Sequence, residues 1–405
     1  MQAVKSQTQL VKSGVLGADA GTALFSFGFC VYLIIRILFT TTISTMGFGS
    51  LLKAAMYFSV AVVLLSLLFG RRVSVKSLCL VAFLIVLAIL AWRVGGSDLA
   101  YLMLMACASR RYGFRSLLSL SFKTIACTCI IVVLLASVGC IGSVSSVDSF
   151  RVRNSCGFIW VSFLSHYYLE LTICFAILVA DRLSLRHLLL LAVIDCAIYM
   201  VTGSRNSFVL TLLFLVAVAF WLLFRKKKPC SSLCAVIICL SFCLAAVLSF
   251  VIYLAFDPFV GVGLQINTAL SGRMLLTQRA VELYGLSAFG TQIQWVTQSM
   301  VAGGQFAAEQ YSYVDSSYLN ILINYGWVFA FFVLVALSVI AYRCTKNCGL
   351  ILGIAFFTFA IHGIVDPQLL DLHYCVFLLL LGNVFDSQEQ WGAKLADFNV
   401  ARGGA

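Results

Sequence analysis

Long apolar runs follow one another along almost the whole chain, and most are about as long as a bilayer is thick. A transmembrane helix needs about 20 mostly apolar residues. Of the 405 residues, 62% are hydrophobic and only 10% are charged, whereas a soluble domain carries roughly 25% charged residues. The sequence therefore predicts an all-α, polytopic membrane protein that forms a single integral membrane domain over residues 1–405.

The chain contains about twelve such runs. They lie at 22–40, 52–69, 77–92, 95–108, 121–142, 157–180, 188–203, 206–224, 231–256, 317–342, 349–363 and 371–386. The run at 95–108 is interrupted by Gly95, Gly96 and Asp98, which predicts a bent or re-entrant helix. The segment 1–20 is polar and precedes a full-length run, so we expect no cleavable signal peptide.

Lysines and arginines concentrate in alternate loops. The basic residues of these loops are Arg71, Arg72, Lys76, Arg110, Arg111, Arg115, Arg182, Arg186, Arg225, Lys226, Lys227, Lys228, Arg343 and Lys346. Because cytoplasmic loops are enriched in basic residues, the pattern predicts a bacterial cytoplasmic-membrane protein with both termini in the cytoplasm. Orientation and contacts with lipid headgroups also account for the net charge of +12, so we do not expect nucleic-acid binding.

The opposite loops carry basic charge almost only as single arginines. These are Arg93, Arg151, Arg153, Arg205, Arg273 and Arg279. The planar guanidinium group donates paired hydrogen bonds to a phosphate and stays charged at any relevant pH. Arginines that converge from several loops would therefore bind a pyrophosphate, whereas a single arginine at a membrane surface is more often a headgroup contact or a helix cap. Arg205 is the strongest candidate, because it lies in a short turn between two apolar runs.

One predicted outward loop, residues 257–316, is much longer than the others. Loops of this length are usually functional or disordered. The segment 273–284 alternates apolar and polar residues at helical spacing, so we expect short amphipathic helices that cap a cavity. Asp315 closes the loop, where it could accept a proton from a sugar hydroxyl or cap the following helix.

Several titratable residues fall within or beside the apolar runs. His166 and Glu170 are four residues apart and share one helix face, and Arg36 lies inside the first run. A functional pathway and a buried structural network are both open interpretations of these groups. His362, Asp366, Asp371 and His373 cluster around the last outward loop, but their spacing matches no common ligand pattern. The sixteen cysteines are scattered through apolar runs and are interpreted as small hydrophobic residues, so no metal or disulfide framework is expected.

Several short motifs occur in the order and positions typical of one enzyme superfamily. They are Arg-Val-Arg-Asn-Ser-Cys-Gly-Phe (151–158), Gly-Ser-Arg-Asn-Ser (203–207), Ser-Gly-Arg (271–273), Phe-Gly (289–290), Val-Asp-Ser-Ser-Tyr-Leu-Asn-Ile-Leu-Ile-Asn-Tyr-Gly (314–326) and Ala-Ile-His-Gly (360–363). From about residue 150 onward the chain resembles the Wzy-type polysaccharide polymerases of the O-antigen polymerase and ligase superfamily. The resemblance implies a GT-C-like glycosyltransferase fold.

The resemblance also implies the reaction and the roles of individual residues. A glycan would pass from an undecaprenyl-pyrophosphate carrier to the next lipid-linked repeat unit, without a metal, a nucleotide sugar or another cofactor. Asp315, Arg205 and Arg273 would be catalytic, the two arginines by binding the pyrophosphate. The substrate-binding residues would be Arg151, Arg153, Arg279, Tyr318, His166 and Glu170. Implied partners are lipid-linked glycans, membrane lipids, a chain-length regulator and a flippase.

Two alternatives stay open at this point. A ligase of the same superfamily would transfer the glycan to a different acceptor, but such ligases carry a histidine in the large loop and residues 257–316 contain none. A flippase for a lipid-linked sugar would need a charged cavity reachable from both faces. The candidate arginines are all predicted on the outer side, which favours the polymerase.

Overall fold

A computed structural model shows an all-α protein that spans the membrane several times. The structure describes the backbone of residues 2–69, 75–148, 151–224, 232–297, 300–301 and 304–395. About 75% of it is helical. Among the described residues, seven helices are long and apolar enough to cross a membrane.

The α-helices are numbered in chain order. They are α1 (Gln2–Phe39), α2 (Gly49–Leu68), α3 (Val75–Arg93), α4 (Ser97–Ala108), α5 (Phe114–Ser137), α6 (Phe163–Leu178), α7 (Leu185–Thr202), α8 (Arg205–Phe224), α9 (Ser232–Leu254), α10 (Gly261–Ala269), α11 (Arg273–Tyr284), α12 (Ser317–Cys348), α13 (Leu350–Val365) and α14 (Gln388–Lys394). The full-length spans are α2, α5, α7, α8, α9, most of α12, and the part of α1 from Ala20 to Phe39.

The other five predicted spans are not among these seven. Three of them contain shorter stretches of apolar helix, Leu78–Arg93 within α3, Phe163–Leu178 and Leu350–Val365. The interrupted run at 95–108 forms α4, which has 12 residues and is therefore about 18 Å long. The last predicted span contains an eight-residue 3-10 helix, Val376–Asn383, in place of an α-helix.

That last segment differs from its prediction because it lies in the centre of the molecule. Every residue from Val376 to Asn383 is buried, and the segment packs against α4, α5 and α12. A continuous apolar run has the same composition whether lipid or protein surrounds it, so periodicity alone does not distinguish a membrane span from a buried core segment.

The outer faces of the long helices are apolar and exposed. Leu189, Val193 and Met200 on α7 and Phe220 and Phe224 on α8 are each more than half exposed. A water-soluble surface rarely carries apolar patches of this extent, and a helix that is apolar on all sides is typical of a membrane span. These faces are suited to contact with lipid.

Two connecting segments, a β-hairpin and a long loop, cover one end of the helix bundle. A β-hairpin pairs β1 (Ser145–Asp148) with β2 (Arg151–Asn154) in antiparallel register. The long segment between α9 and α12 contains α10 and α11 and then an extended stretch. That stretch meets α12 at Gly326, where the helix is kinked and the backbone amides of Trp327 and Val328 bond to the carbonyls of Ser287 and Ala288.

Candidate functional site

A polar cavity of about 610 Å³ lies at the covered end of the bundle. Its wall combines connecting segments with helix ends, namely the C-terminal ends of α1, α7, α10 and α13 and the N-terminal ends of α4, α6, α8, α11 and α12. Small-molecule sites typically have volumes of about 300–1,000 Å³. The predicted site residues in its wall are Arg153, His166, Arg205, Arg273 and Asp315, so residues from five separate segments of the chain meet there.

One side of the cavity concentrates positively charged groups. Gly203, Ser204, Arg205 and Asn206, at the N-terminus of the 20-residue helix α8, all line it. The first amides of a helix have no partner within the helix and carry partial positive charge. The side chain of Arg153 reaches the same region, and its Nε donates to the carbonyl of Thr202 at 3.0 Å. Arg205 is exposed and makes no ion pair among the described residues. This side is suited to a phosphate or pyrophosphate.

A second side of the cavity carries an alternating row of charges. The Nε of Arg273 lies 3.2 Å from Oδ2 of Asp315, and its Nη1 lies 3.6 Å from Oδ1 of Asp366. Nη1 also donates to the carbonyl of Val365. Tyr311 donates to Asp315 at 3.3 Å. Arg273 is therefore held by two carboxylates and a backbone carbonyl.

The two carboxylates that face Arg273 differ in proton affinity. Burial raises the pKa of Asp315 to about 6, with a further increase from Asp366, and the increase is limited by Arg273 and the Tyr311 hydrogen bond. Burial would also raise the pKa of Asp366, but His166, His362 and Arg273 together hold it at about 2. Asp366 is therefore ionised throughout the physiological range, whereas Asp315 changes protonation state around pH 6. A carboxylate with a pKa near the working pH suits proton transfer.

Asp315 does not cap the helix that follows it. Helix α12 has its N-cap at Ser316, and the described part of the chain forms no side-chain capping bond there. The Asp315 side chain turns to Arg273 instead, so the capping interpretation of this residue is wrong.

A second ion-pair group also borders the cavity. Arg36 lies 2.8 Å from Asp98 and 3.7 Å from Asp371, and all three line the wall. Burial raises the pKa of Asp371 to about 6, although Arg36 opposes the shift. These residues were not among the predicted site residues. Two sequence features pointed to this group: Arg36 lies inside the first apolar run, and Asp98 lies in the interrupted fourth run.

Asp366 is the central residue that the sequence prediction did not select. It lies at the end of α13, between Arg273, His166 and His362. The sequence feature that pointed to Asp366 was the group of histidines and aspartates around the last predicted outward loop. The sequence alone does not show that this loop contacts the large loop.

Three predicted substrate-binding residues lie outside the cavity wall. The carboxylate of Glu170 is buried and accepts from the amide of Val376 at 3.1 Å, so it anchors the central 3-10 segment. The hydroxyl of Tyr318 donates to the carbonyl of Ala360 at 2.8 Å and joins α12 to α13. Arg279 is exposed on α11. The side chain of Arg151 lies outside the described residues.

Glu170 shares a helix with His166 but not its surroundings. His166, near the N-terminus of α6, reaches the cavity, and Glu170 lies one turn deeper in the bundle. Helical spacing correctly predicts that His166 and Glu170 share one face of α6. It does not predict how far along that face the cavity extends.

Comparisons of the chain with protein-family models, with curated proteins and with solved structures found no match.

Proposed function

We propose that this protein is a polysaccharide polymerase, which transfers a growing glycan from a polyprenyl-pyrophosphate carrier to the next lipid-linked repeat unit. The proposal rests on the polar cavity, whose wall includes Arg153 and Arg205 together with Arg273 and Asp315. A pyrophosphate needs concentrated positive charge, and a sugar hydroxyl needs a proton acceptor. The two sides of the cavity match these two needs.

The reaction divides between the two sides. An acceptor sugar hydroxyl attacks the anomeric carbon of the donor glycan, and a new glycosidic C–O bond forms. The C–O bond to the pyrophosphate breaks, and the hydroxyl proton passes to the Asp315 carboxylate. The polyprenyl pyrophosphate leaves as an anion at Arg205, Arg153 and the N-terminus of α8. Positive groups aimed at a leaving group that gains negative charge stabilise the transition state more than the ground state.

Arg273 has a different task from Arg205 in this scheme. Its guanidinium group is shared between Asp315 and Asp366, so it has little free charge to offer a second anion. It keeps the Asp315 side chain in place and lowers the pKa of that carboxyl against the effect of burial. We therefore assign Arg273 to the proton-accepting side, whereas the resemblance had suggested pyrophosphate binding.

The distribution of charge along the bundle supports an outward-facing site. The opposite end, which we call the basic end, contains Arg110, Arg111, Arg343 and Lys394. Lys394 donates to the carbonyls of Ser109 and Arg110 at 2.8 and 3.2 Å. Arg110 pairs with Asp386 at 2.6 Å. By the positive-inside rule the basic end faces the cytoplasm, which directs the cavity toward the outer face, where lipid-linked repeat units would be joined.

The deciding experiment uses the purified full-length chain in lipid nanodiscs with a chemically defined lipid-linked repeat unit. The expected product is a ladder whose steps equal one repeat unit, with release of polyprenyl pyrophosphate in proportion to the bonds formed. No nucleotide sugar or ATP is added. A protein that is monodisperse but forms neither a ladder nor free polyprenyl pyrophosphate would overturn the proposal. Release of the carrier with transfer to a different acceptor would identify a ligase instead.

A further inference from the structure

Three buried side chains meet at the base of the polar cavity, two from one helix end and one from another. His362 and Asp366 are four residues apart at the C-terminal end of α13, and His166 lies near the start of α6. His166 Nε2 is 3.5 Å from Asp366 Oδ1, and His362 Nε2 is 3.4 Å from Asp366 Oδ2. One nitrogen or oxygen atom from each residue lies within 4.8 Å of the other two.

Hydrogen bonds do not satisfy this cluster. The side chains of His166, His362 and Asp366 are only 3%, 7% and 4% exposed. Nε2 of His362 and Oδ2 of Asp366, which face each other, make no hydrogen bond with any described residue. Separations of 3.4 and 3.5 Å exceed the usual N–H···O distance of about 2.7–3.2 Å. Buried polar atoms without partners are rare in proteins and call for an explanation.

The same separations match a shared metal ion. Two ligands at about 2.1 Å from a tetrahedral ion lie about 3.4 Å apart. Two imidazoles and one carboxylate are a common ligand set for Zn²⁺, which leaves a fourth position for water or substrate. We propose that His166, His362 and Asp366 bind a divalent transition-metal ion, with Zn²⁺ as the best match.

The neighbouring charges allow an additional cation. Arg273 lies 3.6 Å from Asp366 but also 3.2 Å from Asp315, so its charge is largely balanced from the other side. With neutral imidazoles, the group of Asp315, Arg273 and Asp366 carries one net negative charge. A divalent ion would reverse this to one net positive charge, in a cavity wall that already attracts anions. His166 and Asp366 both line that wall, so the open coordination position would face the cavity.

The ion would also have a mechanical consequence. It would join α6 to α13 and fix the Asp366 carboxylate beneath Arg273. The spacing of the ligands explains why no sequence pattern revealed the site: His362 and Asp366 are one helical turn apart, but His166 comes from almost 200 residues earlier in the chain.

Metal content measured without substrate tests the site directly. The full-length chain carrying a tag without histidines is purified in detergent, and its metals are measured by mass spectrometry. We expect about one Zn²⁺ per chain. Replacement by Co²⁺ in the chelator-treated protein should give the visible absorption of a tetrahedral ion. His166→Gln, His362→Ala and Asp366→Asn should each weaken Zn²⁺ binding by more than the roughly 10–100-fold that outer-shell changes cause.

His187→Ala is the matched control. His187 lies in α7 beside Ser184, at 2.8 Å from its hydroxyl, and is not part of the cluster. This variant should keep the metal. To guard against a misfolded variant, thermal unfolding of chelator-treated protein is followed with and without Zn²⁺. Zn²⁺ should raise the Tm of the wild type and of His187→Ala but not that of Asp366→Asn.

Two results would overturn the metal site. One is a monodisperse wild-type protein that retains no transition metal and shows no Tm change with Zn²⁺. The other is equal metal content in the wild type and the three cluster variants. Neither result depends on polymerase activity, so the metal site and the proposed function are tested separately.

Discussion

At the scale of single residues, the arginines on the predicted outer side are not equivalent. Arg273 is held by Asp315, Asp366 and a backbone carbonyl. Arg205 has no ion pair among the described residues, yet it lines the cavity at a helix N-terminus. A cation without a protein counter-charge in such a position is suited to bind an anion from outside. Arg279 is also exposed but lies outside the cavity wall, so it offers a natural comparison.

Arg205→Ala should reduce polymer formation by about 10²–10³-fold, the usual cost of removing one donor that stabilises a transition state. The measurement is the in vitro ladder, with immunoblotting of membranes to confirm equal protein amounts. Arg205→Lys should recover part of the activity, because lysine keeps the charge but lacks the planar pair of donors. Arg279→Ala should behave as the wild type. Full activity of Arg205→Ala would exclude the pyrophosphate role.

The proton affinity of Asp315 predicts the acidic limit of activity. Its carboxyl has a pKa of about 6, raised by burial, and only the ionised form accepts a proton. The initial rate should therefore fall about tenfold for each pH unit below about 6. Asp315→Asn should lower the rate at neutral pH by about 10²–10⁴-fold and remove this acidic limb. An unchanged acidic limb in the variant would assign the titration to another group.

At the scale of structural elements, the motif at 314–326 serves mainly to hold the cavity together. Ser317 donates to the carbonyl of Asp366, and Tyr318 donates to the carbonyl of Ala360. Asn324 accepts from Trp295 of the large loop at 2.8 Å. Within this motif Asp315 faces the cavity, whereas Ser317, Tyr318 and Asn324 join α12 to α13 and to the loop.

At Gly326, helix α12 packs against the 287–291 segment of the large loop. Its φ is +85°, and a Cβ there would lie 2.4 Å from both the Ala288 carbonyl oxygen and the Gly290 nitrogen. Gly326→Ala should release the 287–291 segment from α12, and limited proteolysis should then cleave between Gly285 and Ser316 faster. Gly349 also has positive φ, +95°, but no described atom lies within 4 Å of the position that a Cβ would take. Gly349→Ala carries backbone strain of about 1–3 kcal/mol without the steric clash.

Comparing Gly326→Ala with Gly349→Ala separates the effect of backbone strain from the effect of the lost contact between α12 and the loop. Faster loop cleavage in Gly326→Ala alone is the expected result. Equal cleavage rates in both variants would mean that the loop does not depend on the kink for its position.

Sequence predicted some parts of this architecture and not others, for physical reasons. The long apolar helices were predictable because lipid requires about 20 apolar residues in a row. Arg205 was predictable because a charge in a short turn between two apolar runs is costly without a function. Arg153 and Asp315 were selected because they lie in motifs on the same predicted side of the membrane. The roles of Glu170 and of the segment Val376–Asn383 depend on which neighbours pack around them. The contacts of Arg36 with Asp371 and of His166 with Asp366 join segments that are far apart in the sequence, so they could not be predicted from it.

At the scale of the whole molecule, the two ends of the bundle are chemically distinct. One end holds the polar cavity beneath the hairpin and the large loop. At the basic end, Lys394 of α14 donates to the turn that follows α4. Arg343 on α12 donates to the carbonyls of Val384 and Asp386, each at 2.9 Å. Burial lowers the pKa of Lys394 to about 7, although Asp386 opposes the shift. This division of charge is what sets the orientation in a membrane.

An epitope inserted after Gln305 should therefore be reached by antibody from outside intact spheroplasts, while green fluorescent protein fused to the C-terminus should fluoresce in the cytoplasm. Gln305 is exposed in the large loop, so the insertion should not disturb the helix core. The same epitope after Asp181, an exposed position between α6 and α7 at the basic end, should be reached only after permeabilisation. Polymer formation by each tagged protein confirms that it is folded. Access to the Asp181 epitope but not to the Gln305 epitope in intact spheroplasts would show the opposite orientation. The cavity would then open to the cytoplasm, and a polymerase that acts on exported repeat units could not use it.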